Sequence, residues 1–526
     1  MGRFRDSLRA GNDFVVTCEL IPGRGYKSKS IDNILTFAEE AKEHPRIHAL
    51  SLTDNAGGNP ALSADVLGQE INGMGVDCIV HFTCKDMNRN TIESRAYALW
   101  RSGVSDLLVL TGDYPISGYL GLAKPVFDID SVSALFYLNK MNGGLEIQGM
   151  RGKPVTLEKT DFYLGASVSP FKWTEGSSVT QYMKLEKKIR AGAQYLIIQL
   201  GYDAKKHIEM IRFLREYLSA DIPIMGSVYL LSGGAARLMN AGEVPGCYVS
   251  PQMLEIVREE AKAEDKGKDK RLTRAARQIS ILKGLGYNGV HIEGLNLKTF
   301  DVTEILERAD DIGDNWRDHL PEFDFSPKKP FYFFKKGETF DLAKPGEPLE
   351  RNIPRRKAVA HPVFWAMRFA HKLIFVEGTP GYKMMVAFSK MTDKRKGMRN
   401  FFGFFEKITK RMFFDCRECD DCALFELYYL CPESQCPKGM RIGACGGANV
   451  EGRCEVFEEN YCIWERIYRR AKNRRECRKL RFIIPPRNWE LYETSSWINY
   501  FMKKDHSAHR LEVPEGEHNV EVHKTC

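Results

Sequence analysis

The chain has 526 residues, 43% of them hydrophobic, and a formal net charge of +8. This length suits two to four domains, or one large barrel with additions, and the apolar content is enough for sizeable cores. The sequence has no run of about 18 uncharged apolar residues, so we expect no membrane span, and its N-terminus lacks a signal-peptide core. We therefore expect a cytoplasmic protein. The modest charge permits an acidic partner without requiring nucleic acid.

From residue 14 to residue 312, short apolar runs alternate with helical patterns. The run Leu107–Leu110 is continuous, which is typical of parallel strands covered on both faces. Eight such runs occur, the count that a (β/α)8 barrel requires, and the longer gaps after the fourth and seventh runs predict elaborated loops. The predicted strands are 14–20, 47–53, 77–83, 106–111, 163–167, 194–199, 222–227 and 288–293.

The chain changes character after the predicted barrel, residues 1–312. Residues 313–358 contain turn-forming segments such as Lys344–Pro348, and we interpret them as a linker. Residues 359–526 begin with an aromatic, basic and helical stretch and continue into a cysteine-rich segment. The predicted fold is thus an α/β (β/α)8 barrel followed by a smaller, helical, cysteine-rich domain.

Polar residues recur where the predicted strands end: Glu19, Thr53, His81, Asp113 and Gln199. The carboxyl ends of parallel barrel strands share one face, which is where barrel enzymes carry out their chemistry. A carboxyl group buried there tends toward a raised pKa and can act as an acid. Each residue alone also fits a structural ion pair or a helix cap, but the recurrence indicates an active site.

Four segments, Thr17–Pro22, His81–Cys84, Leu110–Pro115 and Leu185–Gln199, resemble methylenetetrahydrofolate reductases in order and spacing. Leu52 and Thr53 resemble the second strand of that family. The resemblance covers residues 1–310 and implies a flavin-dependent reductase with FMN, or FAD, as its hydride carrier.

The resemblance also implies individual roles. Glu19 would protonate N10 of methylenetetrahydrofolate, Asp113 would stabilise the resulting iminium cation, and Gln199 and Met239 would contact the folate. Thr111 replaces a family arginine, Gln181 an acid and Met239 an aromatic residue. The implied cofactor-binding residues are Thr53, His81, Thr111, Gly112, Ala166, Gln181 and Lys188.

The chain has 14 cysteines, concentrated late in the sequence. In a chain without a leader, such a cluster indicates metal binding rather than disulfides. The opening Cys-x2-Cys-x2-Cys pattern favours [4Fe–4S] clusters, two if all eight cysteines bind, while zinc and free thiols remain alternatives. We interpret Cys477 as a spare thiol and assign no role to Cys526. The predicted metal ligands are Cys416, Cys419, Cys422, Cys431, Cys436, Cys445, Cys454 and Cys462.

The segments Cys431–Lys438, Arg441–Gly447, Cys454–Val456 and Cys462–Trp464 resemble the small cysteine-rich subunit of acetogen-type methylenetetrahydrofolate reductases. That subunit is a separate chain, so the resemblance implies a fusion that serves one-carbon metabolism of the Wood–Ljungdahl type. Electrons would then reach the flavin through the clusters, from ferredoxin or another electron-transfer subunit. The basic stretch Arg466–Arg481 fits docking of an acidic carrier, and it fits a solvated helix face equally well.

Other functions stay open at this point. The cysteine-rich domain fits a structural zinc module if NAD(P)H is the reductant, and metal clusters with basic helices also occur in nucleic-acid-binding proteins. The latter class leaves the ordered polar strand ends unexplained, so we expect no nucleic-acid partner. Glu19 and Asp113 argue against a scaffold that has lost catalysis. Direction of flux, tetrahydrofolate against tetrahydromethanopterin, and a possible oligomer are undetermined by the sequence.

Overall fold

The computed structural model describes residues 2–335, 351–352 and 362–508, apart from the Lys396 side chain. The chain divides into two compact units. The first is Met1–Asn352 with Gly446–Glu455, and the second is Ile353–Cys445 with Val456–Cys526. Cys526 and much of the predicted linker lie outside the described residues.

The first unit contains a closed barrel of eight parallel strands, which confirms the predicted barrel. Each predicted strand matches an observed one to within two residues at either end. Around the barrel the strands follow chain order, and β1 closes it by pairing with β10. The barrel strands are β1 (Val15–Leu20), β2 (Ala49–Leu52), β3 (Cys78–Thr83), β4 (Asp106–Leu110), β7 (Tyr163–Val168), β8 (Tyr195–Ile198), β9 (Ile224–Tyr229) and β10 (Gly289–Glu293).

Amphipathic helices cover the barrel, and side chains cap their N-termini. Ser28 accepts a hydrogen bond from the Ile31 N–H, and Thr174 accepts one from the Ser177 N–H. The helices of this unit are α1 (Arg3–Ala10), α2 (Lys29–Glu43), α3 (Ala64–Gly73), α4 (Arg89–Arg101), α5 (Ser131–Gly143), α6 (Glu175–Arg190), α7 (Ala204–Arg212), α8 (Gly233–Asn240), α9 (Pro251–Glu260), α10 (Lys268–Gly284) and α11 (Thr299–Ile312).

The two long loops predicted from the sequence, after the fourth and seventh barrel strands, contain additional helices and strands. Between β4 and β7 the chain forms α5 and an antiparallel hairpin of β5 (Glu146–Gln148) and β6 (Pro154–Thr156). After β9 it forms α8, α9 and α10 before the last barrel strand. These insertions account for the irregular spacing in the sequence.

Helix α1 packs against the barrel through Phe4 and Leu8, which are buried in one cluster with Tyr163 and Tyr195. The Phe4 ring meets the Tyr195 ring edge-on, with 5.3 Å between centroids. Tyr163 and Tyr195 begin β7 and β8, so α1 covers the amino-terminal ends of these strands. The opposite, carboxyl-terminal ends are the ones that carry the polar residues.

Residues after α11 stay with the barrel, although the sequence predicted a linker from residue 313. A 3-10 segment, Gly313–Glu322, buries Trp316 against Gly284. Further on, the Phe333 ring contacts Tyr182 and Phe213 edge-on, with centroids 5.4 Å and 5.1 Å away. Burial of these aromatic side chains stabilises the packing of the segment on the barrel, whereas an extended linker would leave them exposed to water.

The second unit is mainly helical where it is described. The helical stretch predicted after residue 359 is confirmed over residues 362–414. In the described part of the chain, the helices are either too short or too polar to cross a membrane. The helices of this unit are α12 (Pro362–Ile374), α13 (Pro380–Asp393), α14 (Lys396–Phe414), α15 (Pro432–Gln435), α16 (Ile463–Asn473) and α17 (Ser496–Phe501).

Candidate active site and cysteine groups

Glu19 lies near the carboxyl end of β1, where it meets a histidine of the last strand. Its Oε2 atom is 3.6 Å from Nε2 of His291, whose side chain is 2% exposed. The other ring nitrogen of His291 is 2.8 Å from the Thr17 hydroxyl, so the ring is held from both sides. Parallel pairing of β1 with β10 sets Thr17 opposite His291 and produces this arrangement.

His81 of β3 approaches the same group from another side. Its Nε2 atom is 2.9 Å from the Ser51 hydroxyl. Glu19, His81 and His291 each contribute a side-chain atom to a group whose members all lie within 4.8 Å of one another. The barrel thus brings together the two polar residues predicted on β1 and β3 and adds His291.

The charges of this cluster follow from burial and from the neighbours. Burial alone raises the pKa of Glu19, but the hydrogen bond and charge of His291 outweigh it, and the pKa is lowered. Burial lowers the pKa of His291, and its contact with Glu19 more than reverses that effect. Burial lowers the pKa of His81 to about 4. At neutral pH the site therefore holds an ionised Glu19 and a neutral His81, and the contact with Glu19 favours the charged form of His291.

Glu293 is a second acid of the cluster that the sequence analysis missed. It is the last residue of β10, two positions after His291, and it is 7% exposed. Burial, and then the nearby charge of Glu19, raise its pKa to about 7. The signal was present in the sequence, because His291 and Glu293 alternate along a predicted strand and so point the same way.

Asp113 follows β4 on a loop rather than on a strand. Its Oδ2 atom accepts a hydrogen bond of 2.8 Å from the Gly57 N–H, on the loop after β2. Gly58 has a φ of 75°, and a Cβ there would collide with the Tyr114 carbonyl. This close approach of two loops holds the Asp113 carboxylate at the same end of the barrel as Glu19.

Helix α6 carries buried lysines toward β7. Lys188 is 8% exposed and its Nζ atom donates to the Ser167 carbonyl, 2.5 Å away. Burial, then the positive charge of Lys184, lower the Lys188 pKa to about 7. Lys184 itself lies 3.0 Å from Asp130. An anion such as a phosphate, bound beside this buried amine, would favour its charged form and pair with it.

The remaining predicted cofactor residues lie around these groups. Ala166 is buried within β7, and the Thr111 hydroxyl donates to Ser131 Oγ over 3.2 Å. Gly112 has a φ of 90°, and a Cβ there would lie 2.8 Å from the Lys85 side chain. Thr53 follows β2, and its buried hydroxyl has no hydrogen-bond partner among the described residues. An orphaned hydroxyl of this kind costs free energy unless a ligand pairs with it.

The segment Gly446–Glu455 belongs to the barrel unit although it follows Cys445 in the chain. The buried Nζ atom of Lys172 donates to the Ala448 carbonyl over 2.9 Å. A Cβ placed on Gly446 would lie 3.7 Å from the Gln181 amide, which is in van der Waals contact. The segment therefore packs beside a predicted flavin-binding residue, a placement that the sequence analysis did not anticipate.

The two predicted folate contacts lie in different surroundings. Gln199 follows β8, and its Oε1 accepts from the Leu200 N–H over 2.9 Å. Its Nε2 lies 3.6 Å from where a Cβ of Gly246 would stand. Met239, on α8, is 4% exposed and packs in an apolar cluster with Leu231 and Met253. A folate contact of Met239 stays a prediction.

Four of the predicted metal ligands gather after α14: Cys416, Cys419, Cys422 and Cys431. Burial, and then the negative charges of Cys422, Glu433 and Cys431, raise the pKa of Cys419. The Glu418 N–H donates to the Cys416 sulphur over 3.4 Å. Asp415, Glu418 and Asp420 have φ of 52°, 55° and 51°, which bends the chain tightly around the cysteines.

A second group comprises Cys436, Cys445 and Cys462 of the same unit. Burial, then the charges of Cys445 and Cys436, raise the pKa of the Cys462 thiol, so the three sulphurs are electrostatic neighbours. Cys454 lies in the segment that belongs to the barrel unit. Cys477 is 2% exposed. These seven cysteines thus form two electrostatic groups, a division that the sequence analysis left open.

A parallel barrel with acid and base groups at the carboxyl ends of its strands defines a (β/α)8-barrel enzyme. The family model described as methylenetetrahydrofolate reductase matches residues 3–310, more than half of the chain. The protein therefore belongs to the methylenetetrahydrofolate reductase family, whose enzymes are oxidoreductases. A second model, described as methylene-tetrahydrofolate reductase C terminal, matches residues 396–490.

Similar proteins include methylenetetrahydrofolate reductase 2 of Saccharomyces cerevisiae, 23% identical over 227 residues. That match covers 41% of this chain and 34% of the yeast protein, so the chain spans about a third of the relative's length.

Two solved structures resemble the chain at low TM-scores. One, titled as an uncharacterized protein from Clostridium thermocellum that binds two copies of 5-methyl-5,6,7,8-tetrahydrofolic acid, has a TM-score of 0.42 and 11% identity, over 59% of this chain and 98% of that one. The other, 2,3-dimethylmalate lyase, has a TM-score of 0.31 and 12% identity, over 61% of this chain and 88% of that one. Both scores are too low to carry a functional conclusion.

Proposed function

We propose that the protein interconverts 5,10-methylenetetrahydrofolate and 5-methyltetrahydrofolate by hydride transfer with bound FMN, or FAD. We further propose that electrons reach the flavin through two [4Fe–4S] clusters held by the cysteine groups. The observation that carries the reductase proposal is the pairing of Glu19 with His291 inside a barrel of this family. It supplies a proton donor where ring opening of the substrate needs one.

The Glu19–His291 pair accounts for the acid step. The two side chains form an ion pair across 3.6 Å, and transfer of a proton from His291 to Glu19 would convert it into a neutral pair. A neutral pair needs less hydration than an ion pair, so exclusion of water by the bound substrate favours it. Glu19 then donates the proton to N10 of the substrate, and the five-membered ring opens.

Asp113 accounts for the cation that ring opening leaves on the substrate. Its carboxylate is held in place before the reaction by the Gly57 N–H, 2.8 Å away. A preorganised negative charge stabilises a developing positive charge without reorganisation during the reaction. The Gln199 amide, which follows β8, would bind the folate alongside it.

The barrel residues fit a flavin. Thr53 offers a buried hydroxyl that is unpaired among the described residues, and Lys188 offers a buried amine for the phosphate. His81, Ala166 and Gln181 would complete the site together with Thr111 and Gly112. When bound, the flavin supplies the hydride chemistry that side chains lack. The chain's own contribution is to bind it, orient it and keep water from the reacting carbon.

The sequence pattern favours [4Fe–4S] clusters over zinc, because a tight loop with Cys416, Cys419 and Cys422 at two-residue spacing can reach three corners of a cube. The Glu418 N–H donates to the Cys416 sulphur over 3.4 Å, which supports a thiolate at that position. The buried Lys410, close to Cys422 and Cys416, supplies a balancing positive charge.

The proposed carrier-docking stretch Arg466–Arg481 is partly occupied by contacts inside its own unit. Arg470 donates to the Tyr428 carbonyl over 2.8 Å, and the Arg474 guanidinium stacks 4.4 Å from the Trp365 ring centre. Arg475, Arg478 and Lys479 are exposed. These three are the residues through which we propose that ferredoxin or another acidic carrier docks.

The test is to purify the protein without oxygen and measure iron, zinc and flavin. Enzyme reduced with dithionite is then mixed with methylenetetrahydrofolate, and methyltetrahydrofolate is quantified. About eight irons per chain, bound flavin and product formation support the proposal. Zinc without iron, with turnover by NAD(P)H, supports the second candidate, a nicotinamide-dependent reductase with a structural zinc domain. Failure of the reduced flavoprotein to form product would overturn the reductase proposal itself.

A further inference from the structure

Glu293 is a buried acid in the barrel that the acid step described above does not use. It ends β10, where its register partner on β9 is Tyr229. On the other side, β10 pairs with β1, and Thr17 faces His291 two residues before Glu293. Alternation along both strands therefore directs Glu19 and Glu293 to the barrel interior at neighbouring positions. The two carboxyl groups are electrostatic neighbours there.

The groups that face Glu293 come from every element around it. Glu19 lies on β1, His291 on β10, Tyr229 on β9, and Tyr202 and Cys247 on the loops after β8 and α8. Burial raises the pKa of Tyr229 to about 12 and raises those of Tyr202 and Cys247, so these three are neutral at neutral pH. The neighbours of Glu293 that can carry a charge are therefore Glu19 and His291.

We propose that Glu293 is the proton store of the site and returns to Glu19 the proton that Glu19 gives to the substrate. The proposal rests on the proposed reductase function and names a further residue of it. Two buried carboxyl groups at neighbouring positions cannot both ionise cheaply in a low-dielectric interior, so one of them tends to keep a proton. Burial and Glu19 raise the pKa of Glu293 to about 7, which agrees with a proton kept there.

The proton balance of the reaction agrees with such a source. Conversion of methylene- to methyltetrahydrofolate takes up one hydride, from the flavin, and one proton at N10. Glu19 gives that proton and becomes an anion. The proton of Glu293 then moves to Glu19, and Glu293 is reprotonated from solvent. In the reverse direction each transfer runs backwards, so the carboxyl pair accepts the proton that N10 loses.

The first measurement is infrared spectroscopy of the whole protein between pH 6 and 8, a range that brackets the pKa of about 7. We expect a protonated-carboxyl band in the parent that titrates in this range and is lost in Glu293→Gln. A band that persists unchanged in Glu293→Gln would overturn the proposal. This readout needs no substrate, so it stays informative even if the reductase assay fails.

The second measurement compares single-turnover and steady-state rates, with reduced methyl viologen as electron donor. In Glu293→Gln we expect the first turnover to stay within about two-fold of the parent and the steady-state rate to fall about 10-fold. Glu293→Asp, which keeps the carboxyl group, should recover most of that loss. A merely structural role would lower both rates together and would leave Glu293→Asp no better, and either result, or an unchanged steady-state rate, would overturn the proposal.

Discussion

The Nε2 atom of His291 lies 3.6 Å from the Oε2 atom of Glu19, and each side chain shifts the pKa of the other toward its charged form. This pairing changes what is expected of the predicted catalytic acid. A glutamate that is simply buried would keep its proton, whereas Glu19 must receive one from a neighbour before it can act.

The Glu19→Gln variant should lose methylenetetrahydrofolate reduction by about 100-fold or more, the range for loss of a general acid. The fold should persist, because Gln has the same shape and can still accept from His291. Single-turnover product formation by the reduced enzyme is the measurement. Glu39→Gln, on the exposed face of α2, is the matched control and should keep the parent rate. Parent-like turnover by Glu19→Gln would remove the proposed acid.

The Lys188→Met variant should weaken FMN binding by about 10-fold or more, because a buried charge-assisted contact to the phosphate is lost. Riboflavin has no phosphate, so its affinity should change little. Fluorescence titration of both flavins with the flavin-free protein separates the two effects. Lys42→Met, an exposed lysine of α2, serves as control. Equal losses for FMN and riboflavin would show that Lys188 is not a phosphate ligand.

Substitutions at Cys419 and Cys445 test the division of the cysteines into two sets. Each single Ser variant should lose about four of eight irons, because a cubane missing one thiolate is labile. Cys477→Ser should keep full iron content, since Cys477 lies outside both sets. Iron is measured by chelation assay on protein purified without oxygen. If the parent protein binds zinc rather than iron and the Ser variants lose that zinc, the alternative of a structural zinc domain is correct.

Acidification should destabilise the barrel through His81. Burial lowers its pKa to about 4, below the usual value for histidine, so the unfolded state binds more protons than the folded state between these values. Stability is therefore kept above about pH 6.5 and falls as the pH drops toward 4, by about 2 kcal/mol at pH 5. Urea unfolding at pH 7 and pH 5 measures this difference, which should shrink in His81→Asn. An unchanged difference in His81→Asn would assign the pH dependence to other groups with a lowered pKa, such as His207, whose pKa burial also lowers to about 4.

The Lys172→Met variant should loosen the segment Gly446–Glu455, whose Ala448 carbonyl accepts from Lys172 Nζ over 2.9 Å. Loss of this buried, charge-assisted bond costs about 2 kcal/mol. Amide exchange of residues 446–455 should quicken while exchange in the barrel strands stays as in the parent. Lys159→Met, an exposed lysine before β7, is the control. Unchanged exchange in Lys172→Met would mean that the segment is held by its other contacts.

The eight strands were predictable because parallel barrel strands are buried on both faces and read as apolar runs. Glu19 and His81 were predictable because they end such runs. His291 and Glu293 were missed because polar residues at alternate positions are common in strands. Their importance comes from the pairing of β10 with β1, which is remote in the sequence. The packing of Gly446–Glu455 with the barrel was not predictable, since its contacts, such as Lys172 with Ala448, join residues remote in the sequence. The packing of residues 313–335 on the barrel was also not predicted, because their aromatic side chains alternate with turn-forming residues that indicate a linker.

The Thr17–His291 contact joins residues 274 positions apart, since β1 pairs with β10. A growing chain therefore has its acid from the beginning but lacks the base until almost the whole barrel has been synthesised. Long-range closure of this kind is slow, because the entropy of the intervening chain must be lost first. The Glu19–His291 pair therefore forms only when the barrel closes, and a chain that stops folding before β10 pairs with β1 lacks it.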